Sequence, residues 1–366
     1  MTVGSSLPPA RTGAILPSLD GIRGLAVVLV LLAHTSGTRH APPLPGFRGP
    51  MHLAELPMIA FFVLSGFLIT RILTAEYEKT GGILLGRFFL RRALRILPVS
   101  YVYLLILAGF AAAGVVRLAP HDLGYAAAFV INATPDRSWF VGHIWSLSIE
   151  CQFYLLWGLV FWKMGPRRSA WVAAGLIGLA PCARVLAWLF LRHTPYYDLE
   201  FFPVFADCLA IGCLLARLHS WLEEQDWYRR LFHPRASILL LLSAVVVERL
   251  MVYSIVRFFG TTFISAALAI LIHRSMYRSN DLSGRILNSR VLKFLGLSSY
   301  SLYIWQQPFL NRESSAWTSA FPQNLVLSFA AAMTSYFLLE RTLLKSRAAL
   351  SSGIPRAINF EAGVAD

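Results

Sequence analysis

The stretch LDGIRGLAVVLVLLAHTSG, residues 19–37, decides the fold. Its run from Leu25 to Ala33 carries no polar side chain, and a helix of about 20 such residues crosses the roughly 30 Å of hydrocarbon in a bilayer. Pro17, Ser18 and Asp20 supply start signals, because proline is tolerated in a first turn and short polar side chains accept hydrogen bonds from free backbone N–H groups. The run also has the length of a signal-peptide core. Arg23 interrupts its base and no small-residue cleavage site follows, so it reads as a first membrane span.

Similar apolar stretches recur along the chain, near 57–73, 97–116, 144–162, 169–191, 201–217, 236–248, 259–273, 294–310 and 323–340. With 56% of 366 residues hydrophobic, only 14% charged and a mean hydropathy of +0.58, a water-soluble fold could not keep its apolar excess off the surface. The expected fold is an all-α integral membrane bundle of about ten transmembrane helices over residues 16–345, with tails at 1–15 and 346–366. The seventh and eighth spans are short. Residues 124–131 are apolar but too few to cross, so they read as interfacial or re-entrant.

With the N-terminus inside, 22 of the 33 Lys and Arg residues fall on inner segments and 8 on outer ones, while Arg23, Arg71 and Arg184 lie within spans. Short cytoplasmic loops hold positive charge, so both termini are expected in the cytoplasm. The formal charge of +14 is spread over these loops instead of being gathered in one soluble domain, which argues against nucleic acid as a partner. Cys151, Cys182, Cys208 and Cys213 all fall in expected spans without a CxxC pair, so neither a disulfide framework nor a metal site is indicated.

An arginine inside a span costs at least a few kcal/mol and normally faces a bundle interior or a wet cavity. Arg23 and His34 are eleven residues apart, about three turns, so they share one helix face about 16 Å apart along the axis. Asp20, three residues before Arg23, stands at pairing distance. Two readings stay open: an interfacial ion pair beside a packing histidine, or the wall of a functional cavity.

Residues Leu16–Val27 followed by Ala33-His-Thr35 resemble the opening of the acyltransferase family 3 membrane O-acyltransferases. Phe61–Thr70, the arginine-rich Arg87–Pro98, His143-Ile-Trp-Ser-Leu-Ser-Ile-Glu-Cys-Gln-Phe-Tyr154 and Ser299–Pro308 are similar to four further signatures of that family, in the expected order. The resemblance implies a ten-span bundle in a bacterial cytoplasmic membrane. It implies transfer of an acyl group, commonly acetyl, from cytoplasmic acyl-CoA to a hydroxyl of a carbohydrate, glycolipid or polysaccharide. Three positions depart from the family pattern: Cys151 where an acidic residue often follows Glu150, Phe205 where arginine is frequent, and Thr342 where proline is usual.

Ester formation from a thioester needs a base for the hydroxyl proton, a place for the carbonyl and a clamp for the donor's phosphates. His34 is the expected general base, and Glu150, at a similar depth, is expected to fix its imidazole; Arg23 completes the catalytic candidates. Pairing of Glu150 with Arg184 or another buried group is the alternative. Arg87, Arg91, Arg92 and Arg95 recur at spacings of three and four and suit the phosphates of coenzyme A, with a purely topological role as the alternative. Asp20, Ser146, Tyr303, Gln306 and Gln307 are the substrate-binding candidates, the last three suited to sugar hydroxyls or to helix packing. Arg184 and Asp207 are expected to neutralise one another. A glycan transporter or flippase is the non-enzyme alternative, weakened because no inverted repeat is visible. Self-association stays open.

Overall fold

The computed structural model describes residues 17–43, 55–196, 200–251 and 254–343; the tails expected at 1–15 and 346–366 lie outside them. Among the described residues all regular structure is helical. The elements are α1 (Pro17–Thr35), α2 (Glu55–Thr80), α3 (Leu85–Ala112), α4 (Asp122–Ala127), α5 (Trp139–Gly142), α6 (Ile144–Leu191) and α7 (Phe202–Glu224). They continue with α8 (Asp226–Arg230), α9 (Pro234–Leu250), α10 (Ser254–Tyr277), α11 (Leu282–Leu287), α12 (Arg290–Leu297), α13 (Ser299–Trp305) and α14 (Gln323–Ser335).

Among the described residues, 6 helical stretches are long and apolar enough to cross a membrane: α1, α2, α3, α7, α10 and the stretch containing α6. The fourth and fifth expected segments both lie within α6. They are separated at Gly165, where φ is 66° and Pro166 follows without a backbone N–H, so the helical ladder breaks there. The seventh is the 17-residue α9. The ninth is divided between α12 and α13 at Ser298, and the tenth is α14 continued by a π-helical turn, Tyr336–Glu340.

One boundary differs from that read in the sequence. The third stretch, read near 97–116, extends back through the arginine-rich segment, which forms the first turns of the 28-residue α3 and runs unbroken through Pro98. The segment expected to be interfacial or re-entrant forms α4 and a turn seated on its neighbours. The Tyr101 hydroxyl of α3 donates to the Ala127 carbonyl (3.3 Å), and Gln152 of α6 donates to the carbonyl of Phe129 (3.0 Å) and to Asn132 (2.9 Å).

In lipid, helices associate through close packing and polar contacts, because lipid tails are as apolar as leucine. Glycine supplies that close packing at two crossings. A methyl group added at Gly21, Gly24 or Gly296 would lie 1.8 Å from the Leu287 carbonyl, 2.1 Å from the Leu292 carbonyl and 1.9 Å from the Asp20 carbonyl, so α1 runs backbone against backbone with α11 and α12. Gly66 and Gly212 bring α2 and α7 together in the same way. Around these seams pack fully buried aromatic side chains, among them Phe62, Phe67, Phe88, Phe153 and Phe161.

The expected Arg184–Asp207 pair is present: a guanidinium nitrogen lies 2.6 Å from Asp207 Oδ1, with Asp207 at 0% exposure. Arg184 also donates to the carbonyls of Val204 (2.9 Å) and Phe258 (3.0 Å), and Thr262 donates to Asp207 Oδ2 (2.5 Å), which fastens α6, α7 and α10 together. Asp20 and Arg23, by contrast, form no ion pair within 4.0 Å among the described residues.

Replacing Gly24 by valine should cost about 1–3 kcal/mol of stability through backbone overpacking, whereas Gly86→Ala, where nothing lies within 4 Å, should be neutral. Arg184→Ala should cost about 3–5 kcal/mol, since it strands a buried carboxylate. Thermal unfolding of detergent-solubilised protein checks both; a Gly24→Val protein as stable as Gly86→Ala would contradict the packing at the α1 seam.

Candidate active site

Two cavities lie end to end inside the bundle. The first, about 90 Å³, is lined by Arg23 of α1, Ser65 of α2, Arg92 and Arg95 of α3, Ser146, Glu150 and Tyr154 of α6, and Tyr300 and Tyr303 of α13. The second, about 550 Å³, is lined by His34, Trp139, His143, Gln307, Arg137 and three glutamates, Glu55, Glu200 and Glu313. Met58 and Tyr303 belong to both linings, so the arginine cavity abuts the His34 chamber. The chamber falls within the roughly 300–1,000 Å³ typical of small-molecule sites, and the arginine cavity is a much narrower slot.

Helical spacing explains how this path is built. On α6 and the residue before it, His143, Ser146, Glu150 and Tyr154 are separated by three and four residues, so they share one face running from the chamber into the arginine cavity. Tyr300, Tyr303 and Gln307 make a parallel stripe at the same spacing, and α1 places Arg23 at one end and His34 at the other.

His34 sits in the last turn of α1, with Nδ1 2.9 Å from Gln306 Oε1. With Gln306 accepting, the hydrogen is on Nδ1 and the Nε2 lone pair is left open. Trp139 meets the imidazole edge-on at 5.9 Å. It is held by reciprocal bonds: its indole N–H donates to the Gln307 carbonyl (2.8 Å) and the Gln307 amide donates back to the Trp139 carbonyl (2.6 Å). Arg312 donates to the Ala33 carbonyl (2.5 Å), steadying the backbone next to His34.

Glu150 does not reach His34. It lies one turn beyond Ser146, about 6 Å further along the helix axis, and accepts from Ser65 (2.5 Å) and Tyr154 (3.2 Å) inside the arginine cavity. The side chain bonded to the imidazole is instead Gln306, read from the sequence as suited to sugar hydroxyls or to helix packing. Nor does Glu150 pair with Arg184, which belongs to Asp207.

The four arginines of α3 separate as well. Arg92 and Arg95, three residues apart, line the cavity, with Arg92 over the Tyr154 ring at 5.9 Å. Arg91 does not line the cavity and forms a buried ion pair with Glu76 of α2 at 3.0 Å, and Arg87 is exposed. A fork of all four guanidinium groups is not assembled, because Glu76 holds Arg91 and Arg87 lies at the exposed start of the helix.

Asp20 lines neither cavity, and its backbone carbonyl is packed against Gly296. Ser146 and Tyr303 meet where the cavities join, their oxygens 2.7 Å apart, and Tyr303 donates to the His143 carbonyl (2.6 Å). Ser65, Tyr154, Tyr300, His143 and Trp139 were not singled out in the sequence. For His143 and Tyr154 the signal was present, as the helical spacing around Ser146 and Glu150.

An acyltransferase family 3 model, described as an acyltransferase domain, matches residues 16–340. The chain is 27% identical over 328 residues to the peptidoglycan O-acetyltransferase OatA of Listeria monocytogenes, covering 81% of this chain and 49% of that protein. It is 29% identical to a putative peptidoglycan O-acetyltransferase, YrhL, of Bacillus subtilis (81% and 48% covered), and 26% identical to a putative O-acetyltransferase of Staphylococcus aureus (79% and 50% covered). The chain spans about half the length of the curated relatives it matches. No solved structure matches it. With the family model covering most of the sequence and the motifs of the first, second, third, fourth and ninth segments lining two adjoining cavities, the chain belongs to acyltransferase family 3.

Proposed function

We propose that this chain is a multi-pass O-acyltransferase of a bacterial cytoplasmic membrane. It moves an acyl group, acetyl in the first instance, from cytoplasmic acyl-CoA to a hydroxyl of a carbohydrate or glycolipid acceptor, with His34 as general base. The observation that carries this reading is the shared wall of the two cavities, which puts a half-buried imidazole with an open nitrogen at one end of a path and Arg23, Arg92 and Arg95 at the other. The names of the relatives, peptidoglycan and other O-acetyltransferases, favour a glycan hydroxyl as acceptor.

In this reading the polypeptide crosses ten times with both ends in the cytoplasm, so the amino end of α3 faces the cytosol and Arg92 and Arg95 hold the donor's phosphates by charge-assisted hydrogen bonds. Glu150 balances the arginine charge in the narrow cavity, and Arg23 guides the thioester arm onward. The acceptor lies in the His34 chamber, where Trp139, Gln307 and the carboxylates suit a ring bearing hydroxyls. The acceptor oxygen attacks the thioester carbon as its proton passes to His34 Nε2. The C–S bond then breaks, and the departing thiolate takes that proton. Gln306 holds the tautomer that makes Nε2 the base, and as a neutral amide it supplies orientation without a counter-charge.

Labelled acetyl-CoA and a glycan acceptor, incubated with purified protein, should yield an ester on the glycan. His34→Ala should lower turnover about 10²–10⁴-fold in protein that still folds; wild-type rates from that variant would exclude His34 as base. Gln306→Leu should slow turnover about 10²-fold through misplacement of the ring, with Gln306→Glu retaining more activity than Gln306→Leu. Titration should show acyl-CoA affinity falling about tenfold or more in Arg92→Ala and Arg95→Ala, and changing less than twofold in Arg87→Ala. Equal effects at all three positions would point to a topological role for the cluster.

A further inference from the structure

His143 is the buried imidazole that the scheme above leaves unused. It stands between α5 and α6 at 4% exposure, and neither ring nitrogen makes a well-aligned hydrogen bond among the described residues. A buried polar group without a partner costs about 1–3 kcal/mol, so one retained beside a functional cavity calls for an explanation. The ring lies at the junction of the two cavities. It lines the His34 chamber, and it packs at 5.4 Å against Tyr303, one of the two residues common to both linings, and edge-on at 5.6 Å against Tyr103.

The donors packed closest to the His143 ring are committed, while farther along the chamber the Gln306 amide and one Arg137 nitrogen also lack a partner among the described residues. The Tyr303 hydroxyl gives its proton to the His143 carbonyl (2.6 Å), which leaves Ser146 to donate to the Tyr303 oxygen (2.7 Å). The Gln307 amide and the Trp139 indole donate to one another's carbonyls, and His34 Nδ1–H is taken by Gln306. Arg23 is eleven residues from His34 on α1, about 16 Å along the axis, too far to touch a carbonyl held beside His34. A neutral imidazole always carries one N–H, and here no well-aligned hydrogen bond holds it, although the Ile304 backbone lies beside the ring.

Resting on the acyl-transfer reading, we propose that His143 is a further catalytic residue, the hydrogen-bond donor to the thioester carbonyl oxygen as negative charge develops on it. The acceptor oxygen bonds to the carbonyl carbon while its proton moves to His34 Nε2, and the carbonyl π pair moves onto the oxygen facing the His143 N–H. Collapse restores the C=O bond and breaks the C–S bond, and the thiolate receives the proton from His34. His143 begins and ends the cycle neutral. A donor fixed in advance, in a site shielded from water, stabilises the oxyanion without reorganising at the moment of reaction.

The test compares His143→Phe and His143→Leu, which keep packing volume without a donor, with His143→Gln and His143→Asn, which keep an N–H. Turnover should fall about 10²–10³-fold in the apolar pair, with KM for the donor unchanged and part of the rate restored in the amide pair. A packing role predicts the reverse order, so His143→Phe within threefold of wild type, or amide variants no better than the apolar ones, overturns the proposal. A second readout keeps His143 in place: infrared difference spectra of carbonyl-labelled acetyl-CoA bound to His34→Ala protein. The carbonyl band should lie at lower wavenumber than in the protein carrying both His34→Ala and His143→Phe, and coincident bands overturn the assignment. Absence of transfer by wild-type protein would instead refute the acyltransferase reading itself, whereas an active wild type beside an active His143→Phe refutes only the role of His143.

Discussion

Gly21, Gly24 and Gly296 allow the backbone of α1 to touch those of α11 and α12, and the path through the bundle depends on that contact. With no hydrophobic force to draw helices together inside lipid, register between them is set by how closely their backbones approach and by the polar groups they exchange. The seam fixes α1 relative to the α12–α13 pair. Two turns and more beyond it, His34 arrives 2.9 Å from Gln306. A side chain at any of the three positions would separate the helices and part the histidine from its partner.

From this register the path follows as a matter of helical geometry. Each of three segments contributes one face: Arg23 to His34 on α1, Tyr154 to His143 on α6, and Tyr300 to Gln307 along and beyond α13. Polar and charged side chains within a span are costly unless they meet one another or a wet cavity. Gathering them on facing stripes satisfies both conditions at once, since Glu150 meets Ser65 and Tyr154 while the opposite surfaces of the same helices remain apolar. The Arg184–Asp207 pair does the complementary work away from the path, holding α6, α7 and α10 together.

The neutral partner of His34 has a chemical consequence. A carboxylate would stabilise an imidazolium strongly, whereas an amide oxygen orients the ring without adding a counter-charge. The chamber also presents Glu55, Glu200 and Glu313, of which Glu200 is paired with Arg137 at 2.6 Å, and under the proposed mechanism His34 Nε2 stays open to an acceptor hydroxyl. Separating Glu150 from His34 by a turn of α6 leaves its charge where the arginines are.

The amino-acid sequence alone determined the all-helical, lipid-facing character of the chain, because apolar runs of spanning length have no other way to satisfy their backbone. It also determined the family, through motifs whose order is covalent, and the Arg184–Asp207 pair, because two opposite charges buried at one depth leave few alternatives. Local spacing was enough to put Arg23 and His34 on one face. Only the tertiary structure decided which side chains meet across helices: Gln306 and not Glu150 at the imidazole, Arg92 and Arg95 but not Arg87 or Arg91 in the cavity, and His143 at the junction. The physical reason is that rotation and register between helices come from backbone contacts at glycines far away in sequence, and a shift of one residue, about 100° of rotation, exchanges one partner for another.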